Sequence, residues 1–286
     1  MHFKISIFFA IAALVHSLPA LAEEVVPHIF QIESLTEITN NQPERTLFLF
    51  DIDDTLLDSF SLPGSKAWRK YIRDVRKDCH DVLTYELAQK YPLKTVESYT
   101  CAFVKELQDK GYVVCGLTSR ERNAWYNMPQ EGIDSLTVKQ LLSLSVDLNT
   151  GTLENTYPDL AADPAYFCGI FFANIEPKGN YLSHLFENAF HLPEKVIFID
   201  DKLYQVESVA HALTALEIPH ECYHYTAIVK KEKAFNSLIA NIQLFYFLKP
   251  DSQILSEQEA AHIAQEHPER DADYYLKQAL ENRCLH

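Results

Sequence analysis

The sequence predicts an α/β fold, a parallel sheet covered by helices. Three observations predict it. Apolar runs recur at Leu47–Phe50, Gly111–Thr118, Ile170–Asn174 and Val196–Ile199, continuous rather than alternating, as in strands buried on both faces. Stretches with a single apolar face separate them, for example Leu182, Leu185, Phe186 and Ala189, which is helical spacing. Each run is followed at once, or within a few residues, by acids, hydroxyls or a lysine. In open parallel sheets, ligands sit beyond the carboxyl ends of the strands.

The first run ends in Asp51-Ile52-Asp53-Asp54-Thr55. Carboxylates packed this closely repel one another, so a cation is expected among them. Hard oxygen donors favour Mg²⁺. The second run ends in Thr118-Ser119-Arg120; a hydroxyl and a nearby backbone N–H both donate to phosphate oxygens, and Ser119 also suits a helix N-cap. The third run leads through Pro177 to Lys178 at the entrance of a helix. Most lysines are solvated, so its position in the series is what singles it out. The fourth run ends in Asp200-Asp201-Lys202, where one acid could serve only as a helix cap.

Asp-x-Asp-x-Thr after an apolar strand, then a strand-terminal Thr, a Lys and a pair of acids, in that order, resembles the four motifs of the haloacid dehalogenase (HAD) superfamily. The resemblance spans Leu47 to Lys202. It implies a Rossmann-like core, with Asp51 as nucleophile on phosphorus and Asp53 as general acid and base. Thr118, Ser119 and Lys178 would bind phosphate, and Thr55 would hold the loop. Mg²⁺ would be held by Asp51, the backbone carbonyl of Asp53, and Asp200 or Asp201, with Asp200 the first choice. Haloacid dehalogenases proper lack an acid at the Asp53 position, so its presence favours phosphoryl transfer. Asp54 stands where many members have Gly. The string Phe-Asp-Ile-Asp-Asp-Thr is similar to the acid-phosphatase-like branch, although Ser119 replaces a usual Gly and Asp200 and Asp201 are adjacent rather than spaced. The chain also resembles an uncharacterised HAD-like group of intracellular bacterial pathogens.

The same reading divides the chain. Residues 1–22 form a signal peptide: Lys4, an apolar stretch from Ile5 to Val15, and Ala20-Leu21-Ala22 as a cleavage site. The α/β core takes 23–58 and 111–249. A helical cap, 59–110, is inserted after the first motif and is rich in Arg, Lys and aromatics; Trp68 and Arg69, nearest the motif, are its weak substrate candidates. Helices are expected as a pair over Glu121–Val146 and singly over Lys230–Phe247, with Thr150–Phe167 irregular. His220-Glu221-Cys222-Tyr223-His224 reads as a fifth strand rather than a soft-metal site. Residues 250–286 form an acidic helical extension opened by a Ser256-x-x-Glu259 capping box; Tyr274, Tyr275, Leu276 and Leu280 would dock it on the core or on a partner.

The chain has 286 residues and a formal net charge of −15. So acidic a surface disfavours polyanions, which excludes a nucleic acid polymer as partner and leaves a small phosphorylated substrate. No segment after the leader is apolar enough to span a bilayer. Export would place the six cysteines in an oxidising compartment, periplasmic or extracellular; Cys79 and Cys101 are the expected bridge and Cys115 a core thiol. Two functions fit: an exported Mg²⁺-dependent phosphatase working through an aspartyl-phosphate, and a secreted binding protein on an HAD scaffold without significant catalysis.

Overall fold

A computed structural model describes residues 28–126, 128–281 and 283; the expected signal peptide and Cys284 lie outside them. Seven strands form one sheet in the order β1 (Ile29–Ile32), β11 (His220–Tyr225), β10 (Lys195–Asp200), β2 (Thr46–Phe50), β5 (Val113–Thr118), β9 (Ile170–Phe172) and β8 (Tyr166–Phe167). All neighbours are parallel except β8 against β9. The fold class is therefore the one expected. The chain leaves β2 towards β5 and β9, then returns to β10 and β11 on the other side. β2 thus stands at the topological switch point, where a crevice opens beyond the strand ends.

Alternation along each buried strand sends side chains to two faces. Phe48, Phe50, Val114, Ile197 and Ile199 face one core with Phe103 and Leu107 of α3 (Thr100–Asp109) and Leu141 of α4 (Ile133–Ser143). Leu47, Leu49, Cys115, Phe171 and Phe198 face the other. They meet the helices α7 (Lys178–Glu187) and α8 (Leu203–Ala215) through Leu182, Phe186, Val206 and Leu213. Leu153 and Leu160, from the short helices α5 (Thr152–Thr156) and α6 (Pro158–Ala161), complete that core. Pro158 begins α6, within the stretch expected to be irregular, since a first-turn N–H has no intrahelical partner to lose. Cys222 packs inside the second core, as a strand residue should.

The insertion is less uniformly helical than its sequence suggests. Strands β3 (Leu57–Ser59) and β4 (Leu93–Thr95) pair antiparallel as a neck. Between them stand α1 (Lys66–Val75) and α2 (His80–Lys90), while α3 belongs to the sheet. A hairpin of β6 (Ala124–Trp125) and β7 (Met128–Pro129) replaces the first of the two helices expected over Glu121–Val146. Tyr126 in its turn has φ 51°, a conformation no helix continues. Two helices, α9 (Val229–Lys233) and α10 (Ser237–Phe247), stand where one was expected. Asn236 splits them by accepting hydrogen bonds from the N–H groups of Leu238 and Ile239. Cys79 is in a disulfide, but Cys101 is a free thiol whose Sγ lies 2.9 Å from the Leu144 carbonyl. The expected Cys79–Cys101 bridge is not made, because α3 carries Cys101 to the sheet and away from α2.

The C-terminal extension folds back. Helix α11 (Glu257–Glu266) starts with the Ser256–Glu259 capping box, and α12 (Ala272–Leu280) follows, capped by Asp271. Leu276, Ala279 and Leu280 pack with Trp68 and Ile72 of α1, Leu83 and Leu87 of α2 and Leu244 of α10. The extension therefore braces the insertion. Leu276→Ala should destabilise the protein by about 2–5 kcal/mol in urea denaturation, the cost of a core cavity; an unchanged midpoint would mean that the tail is not docked in solution.

Candidate active site

The register of the central strands assembles the site. Phe50 is paired with Ile199 and with Gly116, so Asp51 and Asp200 leave adjacent strand ends and Thr118 ends the strand on the other side. Helix α7 presses so closely on α8 that a Cβ on Gly179 would lie 2.0 Å from the Ser208 carbonyl oxygen. Only glycine permits this approach, and it sets Lys178 deep beneath the strand ends. The Lys178 backbone N–H donates to Gln205 Oε1 at 2.9 Å.

Lys178 is 1 % exposed, and its Nζ donates to Asp51 Oδ1 at 2.5 Å and to Asp200 Oδ2 at 2.6 Å. Burial works against its charge, but Asp200 and Asp51 outweigh burial and raise its pKa. The other Asp200 oxygen accepts the Lys202 backbone N–H at 2.7 Å. Asp201 Oδ2 accepts from Lys66 of α1 at 2.9 Å, and the Asp201 N–H donates to Thr55 Oγ1 at 3.2 Å, which ties the first acid loop to the fourth.

Asp51, Asp200 and Asp201 each offer an oxygen within 4.8 Å of the others. Asp51 Oδ2 and Asp201 Oδ1 are buried without a hydrogen-bond partner. Buried acceptors are rarely left so, and three hard oxygen donors suit a cation of the Mg²⁺ type. The residues thus fit a divalent cation. Of the paired acids, Asp201 carries the free acceptor, whereas both oxygens of Asp200 accept hydrogen bonds. Burial first, then the Asp51 charge, pushes the Asp200 carboxyl up to about 6. Burial, then Asp54 and Asp51, pushes Asp201 up to about 8.

Asp53 stands apart from this triad. It lines the cavity with its side chain one-third exposed, gripped by Arg120 through Nε–Oδ2 at 2.8 Å and Nη2–Oδ1 at 2.7 Å. Burial opposes its ionisation, but the Arg120 charge and hydrogen bonds, with Arg69 behind them, hold its carboxyl well below the usual range. Arg120 is itself fixed by Thr137 and Gln140 of α4 at 2.8 and 2.7 Å. Asp54 adopts φ 67° and pairs with Arg69. Aspartate enters the left-handed region more readily than most residues, which is how it stands where glycine is common.

These groups open onto a cavity of about 860 Å³ bounded by α1, α2 and the β6–β7 hairpin. Thr118, Ser119, Arg69 and Lys202 line it. Trp68 does not: it is fully buried in the core of the insertion, so the sequence placed only Arg69 of that pair correctly at the cavity. Sequence reasoning gave no role to Arg120, Lys66, Gln205 or Lys202. Adjacency to motifs was their only signal, and long side chains from other elements complete the contacts.

A buried acidic triad at the switch point of a parallel sheet, roofed by an inserted helical pair, defines this α/β protein. The chain belongs to the family described as "Protein of unknown function (DUF2608)", whose family model matches residues 27–261. It is 24% identical over 263 residues to a "Putative outer membrane protein" of Chlamydia trachomatis serovar D, covering 87% of this chain and 95% of that one. A Chlamydia pneumoniae protein with the same description is 24% identical over 244 residues, covering 81% and 88%. No solved structure matches the chain significantly.

Two outcomes follow from the charges. Asp200 and Asp201 bind protons more tightly folded than unfolded, so their contribution to stability is present at acid pH and lost as pH rises from about 4 through about 8. In a chelator, the urea midpoint should fall across that window, and Mg²⁺ should restore more at its alkaline than at its acid end. Separately, carboxyl ¹³C titration should show Asp53 ionised throughout the ordinary carboxylate range, and Arg120→Gln should move its pKa upward.

Proposed function

We propose that this protein is an exported, Mg²⁺-dependent phosphoric monoester hydrolase of the HAD type. The observation that carries this reading is the convergence of Asp51, Lys178, Asp200 and Asp201, from three separate stretches of chain, at one buried point beside Thr118 of a fourth. An idle scaffold has no physical reason to bury so many charges, since each costs desolvation energy that packing alone does not return.

In this reading a small phosphorylated substrate enters the cavity with its phosphoryl group towards Thr118 and Ser119. An Asp51 carboxylate oxygen attacks phosphorus, forming an aspartyl-phosphate as the ester P–O bond breaks. Lys178 offsets charge on Asp51. Asp51, Asp200 and Asp201 would hold Mg²⁺, which when bound offsets charge on the phosphoryl oxygens. Asp53 protonates the departing oxygen and later takes a proton from the hydrolytic water. Its pairing with Arg120 disfavours that proton, so the ion pair must loosen before Asp53 can act.

Export is supported by the leader-like first 22 residues and by the outer membrane description of the chlamydial relatives. Periplasmic and secreted locations both suit it. No helix among the described residues is long and apolar enough to cross a membrane.

The test is hydrolysis of p-nitrophenyl phosphate by purified protein. Activity should require Mg²⁺, stop on chelation, and fall by about a thousandfold or more in Asp51→Asn. Absence of any Mg²⁺-dependent hydrolysis between acidic and neutral pH would overturn the proposal.

A further inference from the structure

We propose that Lys202, not Lys178, is the cation that meets the oxyanion of the ligand, forming an anion subsite with the Thr118 and Ser119 hydroxyls. The inference rests on the phosphatase reading and goes beyond it, because it moves substrate contact from the lysine of the third motif to one outside the motif roles.

Counting protons leads there. An ammonium has three donors. Lys178 commits two to Asp51 and Asp200, is 1 % exposed, and does not reach the cavity wall. Most other cations on that wall are also engaged: Lys66 with Asp201 and Glu232, Arg69 with Asp54, Arg120 with Asp53 and Lys70 with Asp74. Arg73 projects from the exposed outer part of α1 and makes only a 3.4 Å contact with His80.

Lys202 differs from all of these. Its side chain is half-buried, lines the cavity, and forms no hydrogen bond or ion pair among the described residues. It nevertheless lies in the field of Asp51, Asp201, Asp200 and Asp54. Its backbone is pinned, since the N–H donates to Asp200 Oδ1 at 2.7 Å, so the side chain leaves from a fixed point beside the triad. A half-buried ammonium with all three protons unspent calls for an anion. The neighbouring hydroxyls are poised for the same ligand. Thr118 Oγ1 accepts the Arg120 N–H at 3.2 Å, and Ser119 Oγ accepts from Gln205 Nε2 at 3.3 Å. Each therefore keeps its own proton to donate. The ligand chemistry is a compact oxyanion such as a phosphoryl group, with the remainder of the molecule in the larger part of the cavity.

Isothermal titration of the purified protein with inorganic phosphate, in the presence of Mg²⁺, tests this. Lys202→Gln and Lys202→Met should each weaken phosphate binding by about tenfold or more, the loss of one charge-assisted hydrogen bond. Lys202→Arg should stay within about threefold of the parent, because the charge is kept. Thermal melting of each variant confirms folding, and if one neutral variant fails to fold the other gives the same reading. Parent-like phosphate affinity in a folded neutral variant would overturn the role of Lys202 while leaving the phosphatase reading intact. If the unaltered protein bound no phosphate, the anion subsite would fall, while the phosphatase reading would still be decided by hydrolysis of p-nitrophenyl phosphate.

Discussion

The ammonium of Lys178, clamped between Asp51 and Asp200, is the contact on which the rest of the site depends. It joins α7 to the ends of β2 and β10 at the switch point of the sheet. A buried ion pair of this kind is poor evidence of net stabilisation, because desolvation consumes much of the Coulomb gain. Breaking it from one side, however, strands a charge in the interior. The arrangement is therefore self-enforcing: each member makes the others necessary. The glycine that lets α7 approach α8, the Gln205 carbonyl that receives the Lys178 N–H, and the strand register that aligns Asp51 with Asp200 all serve this contact.

Around it, charge also positions the roof. Lys66 and Arg69 of α1 reach down to Asp201 and Asp54, and Lys231 bridges to Asp58 at the neck of the insertion. These pairs are partly or wholly shielded from water, so salt screens them less than surface pairs. Apolar packing of α12 and α10 against α1 and α2 then holds the roof from behind. The cavity is thus lined by the core motifs, the insertion and the β6–β7 hairpin, while the C-terminal extension braces the insertion from behind. A ligand that competes for Lys66 or Arg69 would act on the roof as well as on the site, since the same cations serve both.

Much of the core was legible from sequence because its strands are buried on both faces. Continuous apolar runs such as Leu47–Phe50 and Val196–Ile199 leave little doubt about period or location. The errors fall where local pattern is weaker. Ala124–Pro129 forms a hairpin whose turn depends on a left-handed Tyr126, a conformation not encoded by composition. The division between α9 and α10 turns on one capping side chain, Asn236. Trp68 looked like a ligand contact because it is aromatic and near the first motif. It is fully buried in a small core that α1, α2, α10 and α12 build together.

Sequence by itself determined the five consecutive strands β11, β10, β2, β5 and β9, the order of the strand-terminal groups and the acidic, hydroxyl and ammonium chemistry available to them, because strand burial and residue type are local properties. Tertiary structure alone decided which oxygen of which acid is free, that Arg120 grips Asp53, and that Lys178 spends two of its three donors on neighbouring acids while Lys202 spends none on the described residues. Those outcomes depend on distances of a few ångströms between side chains far apart in the chain, and hydrogen-bond saturation has no signature in spacing or composition.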